Sequence, residues 1–200
     1  DILIDYSIFI NKKIYITGQR KCGKSPLICS IYEGMSRIHN LSNIYIISAC
    51  DPLNADENDY DHSYDKIINS HFDVTIERYL TIDVIDNLCT IEPNALVILE
   101  SCISLRNGYL VRQKLTQLFA NNNITLIIAE QFPSWHTNEV NIFDYIFLGT
   151  CDSHVIRYRM RKYVKEICGI DNFDDVYGSP SNLSYDQFML FCNQGCMIIR

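Results

Sequence analysis

The apolar positions of this chain fall into two rhythms that alternate along its length. Residues 12–17 (KKIYIT) alternate and end at Gly18, the pattern of a strand entering a turn. Residues 25–39 then place Leu27, Ile28, Ile31, Met35 and Ile38 at helical spacing, and residues 43–50 return to a strand closed by Asp51-Pro52. The acidic segment 51–66 predicts a loop, and 67–89 predict a short strand and a helix. Two continuous apolar runs, Ala95–Leu99 and Thr125–Ala129, have the character of buried central strands. Between them, 105–119 carry Leu110, Leu115 and Leu118 at helical spacing. A further strand is predicted at 144–149, then an amphipathic helix at 153–168 with Ile156, Met160, Val164 and Ile167 on one side. The tail predicts a turn at Gly178-Ser179-Pro180, a short helix or loop, and a strand at 196–200. Buried strands alternating with helices predict an α/β fold, with a mostly parallel sheet and helices on both faces. The length fits a single domain, 1–200.

Composition narrows this picture by exclusion. No apolar run approaches the ~18 residues that span a bilayer, so no membrane partner is expected. The opening Asp1-Ile2-Leu3-Ile4-Asp5 has no basic segment ahead of an apolar stretch, which is not the pattern of a secretory leader. A net charge of −7 argues against simple groove binding of DNA by a monomer. It leaves room for a local patch, and Arg157, Arg159, Arg161, Lys162 and Lys165, with Tyr158 and Tyr163, form the densest one. A ring of subunits would present that cluster repeatedly to a phosphate backbone; the solvated face of an amphipathic helix is the simpler explanation. The nine cysteines are odd in number and show no CxxC pair, so they predict reduced, core-type thiols in a cytosolic setting.

The chemistry begins at Gly18-Gln19-Arg20-Lys21-Cys22-Gly23-Lys24-Ser25, which fits G-x-x-x-x-G-K-[ST] at every fixed position. The glycines let the backbone turn its N–H groups toward phosphate oxygens. Lys24 would reach the terminal phosphates, Ser25 would take Mg²⁺, and the helix that follows adds its positive end. The preceding strand and following helix are the context this mechanism requires. Pro26 is discordant: a first helical turn tolerates it, but it has no N–H to offer a phosphate.

Two strand ends supply further candidates. In P-loop ATPases a second buried strand ends in a carboxylate that holds Mg²⁺. Here Leu96–Leu99 end in Glu100-Ser101, so Glu100 is the candidate metal acid, while Ser101 cannot serve as a general base at neutral pH. The next buried run ends in Glu130-Gln131, and Gln131 stands where a residue would sense the γ-phosphate or orient water.

Taken together, the phosphate loop, NIYIISACDPLN, LVILESCIS, LFANNNITLIIAEQ and NIFDYIFLG resemble the genome-packaging ATPases of poxviruses and other large double-stranded DNA viruses. These belong to the FtsK–HerA group of P-loop motors. The resemblance covers roughly residues 12–165. It implies a RecA-like core that assembles into a homo-oligomeric ring, hydrolyses ATP with Mg²⁺, and drives viral DNA into a preformed capsid. It implies capsid components as partners, and a location in the infected cell's cytoplasm or the virion. Gly18, Gly23, Lys24 and Ser25 would hold nucleotide, Glu100 would hold Mg²⁺, and Gln131 would be the sensor.

The departures are specific. The family has two acids after its second buried strand where this chain has Glu100-Ser101. It has Gly-Arg-His before the sensor strand where this chain has Phe119-Ala120-Asn121. That arginine is a plausible stabiliser of transition-state charge; Arg106 or Arg112 would have to replace it, or an arginine of a neighbouring subunit. These departures motivate a rival expectation, a catalytically degenerate P-loop domain that serves as a binding or assembly scaffold. A GTPase reading finds no Asn-Lys-x-Asp motif, since Asn11-Lys12-Lys13-Ile14 lacks the Asp.

Overall fold

The structure, a computed structural model, describes residues 5–48, 64–103, 108–133, 135, 140–151, 153–169, 187–192 and 195–199. Its strands are β1 (Lys13–Thr17), β2 (Ile44–Ser48), β3 (Val74–Glu77), β4 (Leu96–Glu100), β5 (Thr125–Glu130), β6 (Tyr145–Leu148), β7 (Phe188–Cys192) and β8 (Gly195–Ile199). Its helices are α1 (Lys24–Ser36), α2 (Asp65–Ser70), α3 (Ile82–Leu88), α4 (Gly108–Ala120) and α5 (His154–Cys168). The chain groups into two compact units. One holds Lys13–Lys24 and Ala129–Arg200; the other holds Ile4–Lys12 and Ser25–Ile128.

In the second unit the strand order is β3-β2-β4-β5. β2 pairs parallel with β3 and with β4, with Ile44 opposite Val74 and Leu96. Every residue of β4 is buried, which requires cover on both faces and explains the unbroken apolar run. α3 begins at Thr81, whose hydroxyl accepts from the Val84 N–H at 3.2 Å, and it packs on α4. An exposed Lys114–Asp86 bridge of 2.7 Å accompanies that contact. Leu115 and Leu118 of α4 are fully buried.

In the first unit the order is β1-β6-β7-β8. β1 and β6 are parallel, while β6-β7 and β7-β8 are antiparallel. α5 buries Ile156, Met160 and Val164 and exposes Arg159, Arg161, Lys162 and Lys165, as its sequence pattern predicts; it also buries Tyr163, which the sequence grouped with the cations, and the side chain of Ile167 lies outside the described residues. It ends at Gly169, whose φ of 67° gives the left-handed cap, with its N–H bonded to the Lys165 carbonyl.

Two expectations change in detail. Residues 188–192 (FMLFC) form a strand, not a helix or loop; a five-residue apolar run has no period that separates the two. α1 stops at Ser36, where the Ile38 and His39 N–H groups both turn back to the Met35 carbonyl, so Ile38 lies outside the helix and is exposed. Of the strand predicted over 43–50, Ile44–Ser48 form β2, and residues 49–50 lie outside the described residues. Residues 51–63 of the acidic segment, the turn at 178–180, Arg106 and the side chain of Arg112 lie outside the described residues. The six cysteines whose side chains are described form no disulfide; Cys22, Cys29 and Cys151 are buried, while Cys89, Cys102 and Cys192 are half-buried. Among the described residues, no helix is long and apolar enough to cross a membrane.

Candidate nucleotide site

β1 delivers the chain into a loop whose shape is set by its small residues. Gly18 is buried, Gln19 half-buried, and Arg20 and Lys21 are exposed on the rim. Lys21 and Gly23 take positive φ, 65° and 88°, the reversals that curl a phosphate loop. The Gln19 N–H bonds to the Thr150 carbonyl at 3.0 Å, and the Gly149 N–H bonds to the Thr17 carbonyl at 2.8 Å, so the end of β6 braces the loop.

The Cys22 thiol fills the inside of that turn. A Cβ on Gly18 would stand 2.7 Å from Cys22 Sγ, and one on Gly149 would stand 2.8 Å from the same sulfur and 2.9 Å from Phe188 Cε1. Burial pushes the Cys22 thiol up from its usual range, and the Lys24 charge offsets part of that. It therefore stays a neutral packing group near neutral pH. Gly149 was not among the sequence candidates; the signal that would have found it is a glycine directly after a buried strand. Gly149→Ala is expected to destabilise the protein by roughly 1–3 kcal/mol through overpacking. Cys22→Ala in the same chain should recover only part of this, because Phe188 still obstructs the new methyl. Urea titration of the single and double variants checks both statements.

Lys24 opens α1. Its ammonium donates to the carbonyls of Gly18 and Gln19, both at 2.9 Å, and lies 3.8 Å from Cys22 Sγ. The loop thus supplies acceptors to the cation that the motif reserves for phosphate. Pro26 occupies the first turn of α1, where its missing N–H costs the helix nothing.

Within the second unit, the buried Ser25 hydroxyl donates to Glu100 Oε1 at 3.0 Å. Residues 75 positions apart are joined here at the end of β4. Glu100 is 8% exposed, and its carboxylate and the serine hydroxyl are the hard oxygen donors that suit Mg²⁺. These residues therefore fit the cation that the resemblance implies. Ser101, next in the chain, adopts φ 51°, a left-handed conformation uncommon for serine.

Gln131 follows β5 directly and is half-buried. Among the described residues no hydrogen bond ties it to the loop. Its neighbour Glu130 is 5% exposed and accepts the Tyr15 hydroxyl at 2.8 Å, a bond sequence reasoning missed. Burial, and then the Glu130 charge, hold the Tyr15 phenol well above its usual pKa, so it remains a donor. Of the basic cluster, Arg159 donates to the Pro133 carbonyl at 2.7 Å, and Lys162 lies over the Tyr158 ring at 4.6 Å.

No family model matches the chain, and no curated protein sequence matches it. Solved structures match it by fold. The DNA-packaging ATPase B204 of Sulfolobus turreted icosahedral virus has a TM-score of 0.67 at 14% identity, covering 96% of this chain and 98% of that one. The genome-packaging NTPase B204 of Sulfolobus turreted icosahedral virus 2, in complex with ATP-gammaS, gives 0.66 at 14% identity over 95% and 97% of the two chains. EssC (ATPases 2 and 3) from Geobacillus thermodenitrificans gives 0.60 at 10% identity, covering 94% of this chain and 39% of that one. At such identities the likeness is one of fold. The chain has the α/β, RecA-like P-loop fold that its sequence predicts, and its resemblance to viral packaging ATPases extends from the loop motif to the architecture.

Proposed function

We propose that this chain is an ATP-hydrolysing P-loop motor that packages double-stranded DNA into a viral capsid. The observation that carries the reading is the buried Ser25–Glu100 hydrogen bond directly after a complete phosphate-loop motif. In P-loop ATPases the serine or threonine that ends the loop and an acid at the end of a second buried strand hold Mg²⁺ together, and Ser25 and Glu100 reproduce that pairing. The fold it shares with B204, a protein described as a DNA-packaging ATPase, supports the same reading.

In this reading the loop N–H groups of Gly18–Ser25 bind the phosphates, and Lys24 exchanges its carbonyl partners for phosphate oxygens. Mg²⁺, held by Ser25 and Glu100, supplies charge neutralisation on the phosphates. Gln131 reports the γ-phosphate, and an arginine of this or a neighbouring subunit in a homo-oligomeric ring completes the site. The cations of α5, among them the half-buried Arg157 and the exposed Arg161 and Lys162, contact the DNA backbone, and capsid components are the further partners. Its place of action is the infected cell's cytoplasm or the virion.

Steady-state ATP hydrolysis with Mg²⁺, with and without double-stranded DNA, tests this. Turnover that DNA raises, with a stimulation that fades as salt rises, is the expected result. The strained Ser101 in place of a second acid favours a second reading, an assembly scaffold. Nucleotide binding without turnover, at concentrations where rings form, would select it.

A further inference from the structure

Gln131 stands between two sets of long-range hydrogen bonds, all within one unit of the fold. On its N-terminal side the Glu130 carboxylate, 5% exposed, is held by the hydroxyl of the fully buried Tyr15 at 2.8 Å. On its C-terminal side α5 reaches two carbonyls of the following segment. Arg159 Nη1 donates to Pro133 O at 2.7 Å, and the Tyr163 hydroxyl donates to Trp135 O. Arg159 and Tyr163 are four residues apart, so one helical face meets the carbonyls of Pro133 and Trp135. The two sides are joined by one ring. Phe143 stacks on Tyr15 at 5.0 Å and receives Trp135 edge-on at 5.5 Å. Trp135 itself is 5% exposed.

This arrangement costs more than a loop needs. A buried glutamate carries a desolvation penalty that a buried leucine does not, and Arg159 gives up part of its hydration to hold one carbonyl. What the bonds achieve is to fix the backbone on both sides of one half-buried glutamine. We infer that Arg159, Tyr163 and Tyr15 are positioning residues that hold Gln131 where it can report the state of a bound nucleotide. The inference rests on the proposed role of Gln131. It also places the basic helix in direct mechanical contact with the sensor segment. A force on α5 from a phosphate backbone then reaches Gln131 through the Arg159–Pro133 bond.

Trp135 is the chain's single tryptophan, so its emission reports this segment without a label. The experiment compares wild type, Gln131→Ala, Tyr163→Phe and Arg159→Ala without DNA, using ATPγS and ADP, with melting temperatures measured alongside. In wild type the two nucleotides should give different emission. Gln131→Ala should abolish the difference, and Tyr163→Phe should do so with ADP affinity within about twofold of wild type, because only the hydroxyl is lost. In turnover the same variants should lose kcat by roughly tenfold to a hundredfold with little change in KM, the cost of a misplaced group. Tyr163→Phe or Arg159→Ala proteins that melt lower yet keep the wild-type emission difference and kcat would overturn the positioning role and leave the sensor intact. A Gln131→Ala protein that keeps the emission difference would overturn the sensor reading, and the inference with it. A wild type that binds neither nucleotide would overturn both together with the proposed function.

Discussion

Lys24→Ala should weaken ATP binding by two to three orders of magnitude. The Lys24 ammonium is desolvated in part and bonded to the carbonyls of Gly18 and Gln19, each at 2.9 Å. Phosphate oxygens carry formal charge, so they outcompete neutral carbonyls for the same donor. Each charge-assisted bond contributes about 1.5–3 kcal/mol, so two contribute about 3–6 kcal/mol; the carbonyl bonds they replace offset about 1–2 kcal/mol, which leaves roughly 10²–10³ in Kd. The variant also removes a donor that braces the free loop, a cost of about 1–2 kcal/mol to the folded state that a melting curve would register. Arginine is a poor substitute, because its planar fork does not fit the space of a compact ammonium. Calorimetric titration with ATPγS measures the effect. An unchanged Kd would remove the phosphate-loop assignment, whatever the motif suggests.

What the sequence made legible was local or periodic. The phosphate loop is eight consecutive residues with fixed chemistry, and its strand and helix flanks follow from spacing alone. β4 and β5 were visible because strands covered on both faces must be apolar throughout. The amphipathic face of α5 was visible for the matching reason, steps of four residues from Ile156 to Met160 to Val164. What stayed hidden depends on partners far away in sequence. Tyr15 and Glu130 lie 115 positions apart, and nothing in either neighbourhood announces a bond. Gly149 looks like any strand-end glycine until Cys22 occupies the space its side chain would take. Arg159 read as one cation in a run, yet its guanidinium serves a backbone carbonyl of another segment. Tyr163 read as an aromatic interleaved among charges, yet it is 1% exposed. Charge runs and aromatic spacing record composition; they do not say which member of a run turns inward.

The Glu100 carboxylate is expected to carry the second large effect, and the choice of replacement decides what is learned. Glu100→Ala removes charge, volume and the acceptor for the buried Ser25 hydroxyl together. Losing that acceptor costs about 1–3 kcal/mol, while relief from burying a carboxylate returns a similar amount, so its net stability change is small and uninformative. Glu100→Gln keeps the shape and keeps a carbonyl oxygen that can accept from Ser25, so the charge alone is deleted. If Glu100 is the metal-side acid, the Gln variant should fold and melt like wild type and bind ATP comparably in the absence of Mg²⁺. Its turnover should fall by about 10²–10³, the loss that follows removal of one preorganised electrostatic group worth about 2.7–4 kcal/mol. Raising Mg²⁺ should recover part of the rate, because a weakened site is refilled by mass action. A Gln variant that turns over at the wild-type rate across the Mg²⁺ titration would move the metal acid elsewhere. The Ser25–Glu100 bond would then be a structural contact, and the candidate site would keep its phosphate loop but lose its proposed cation ligand.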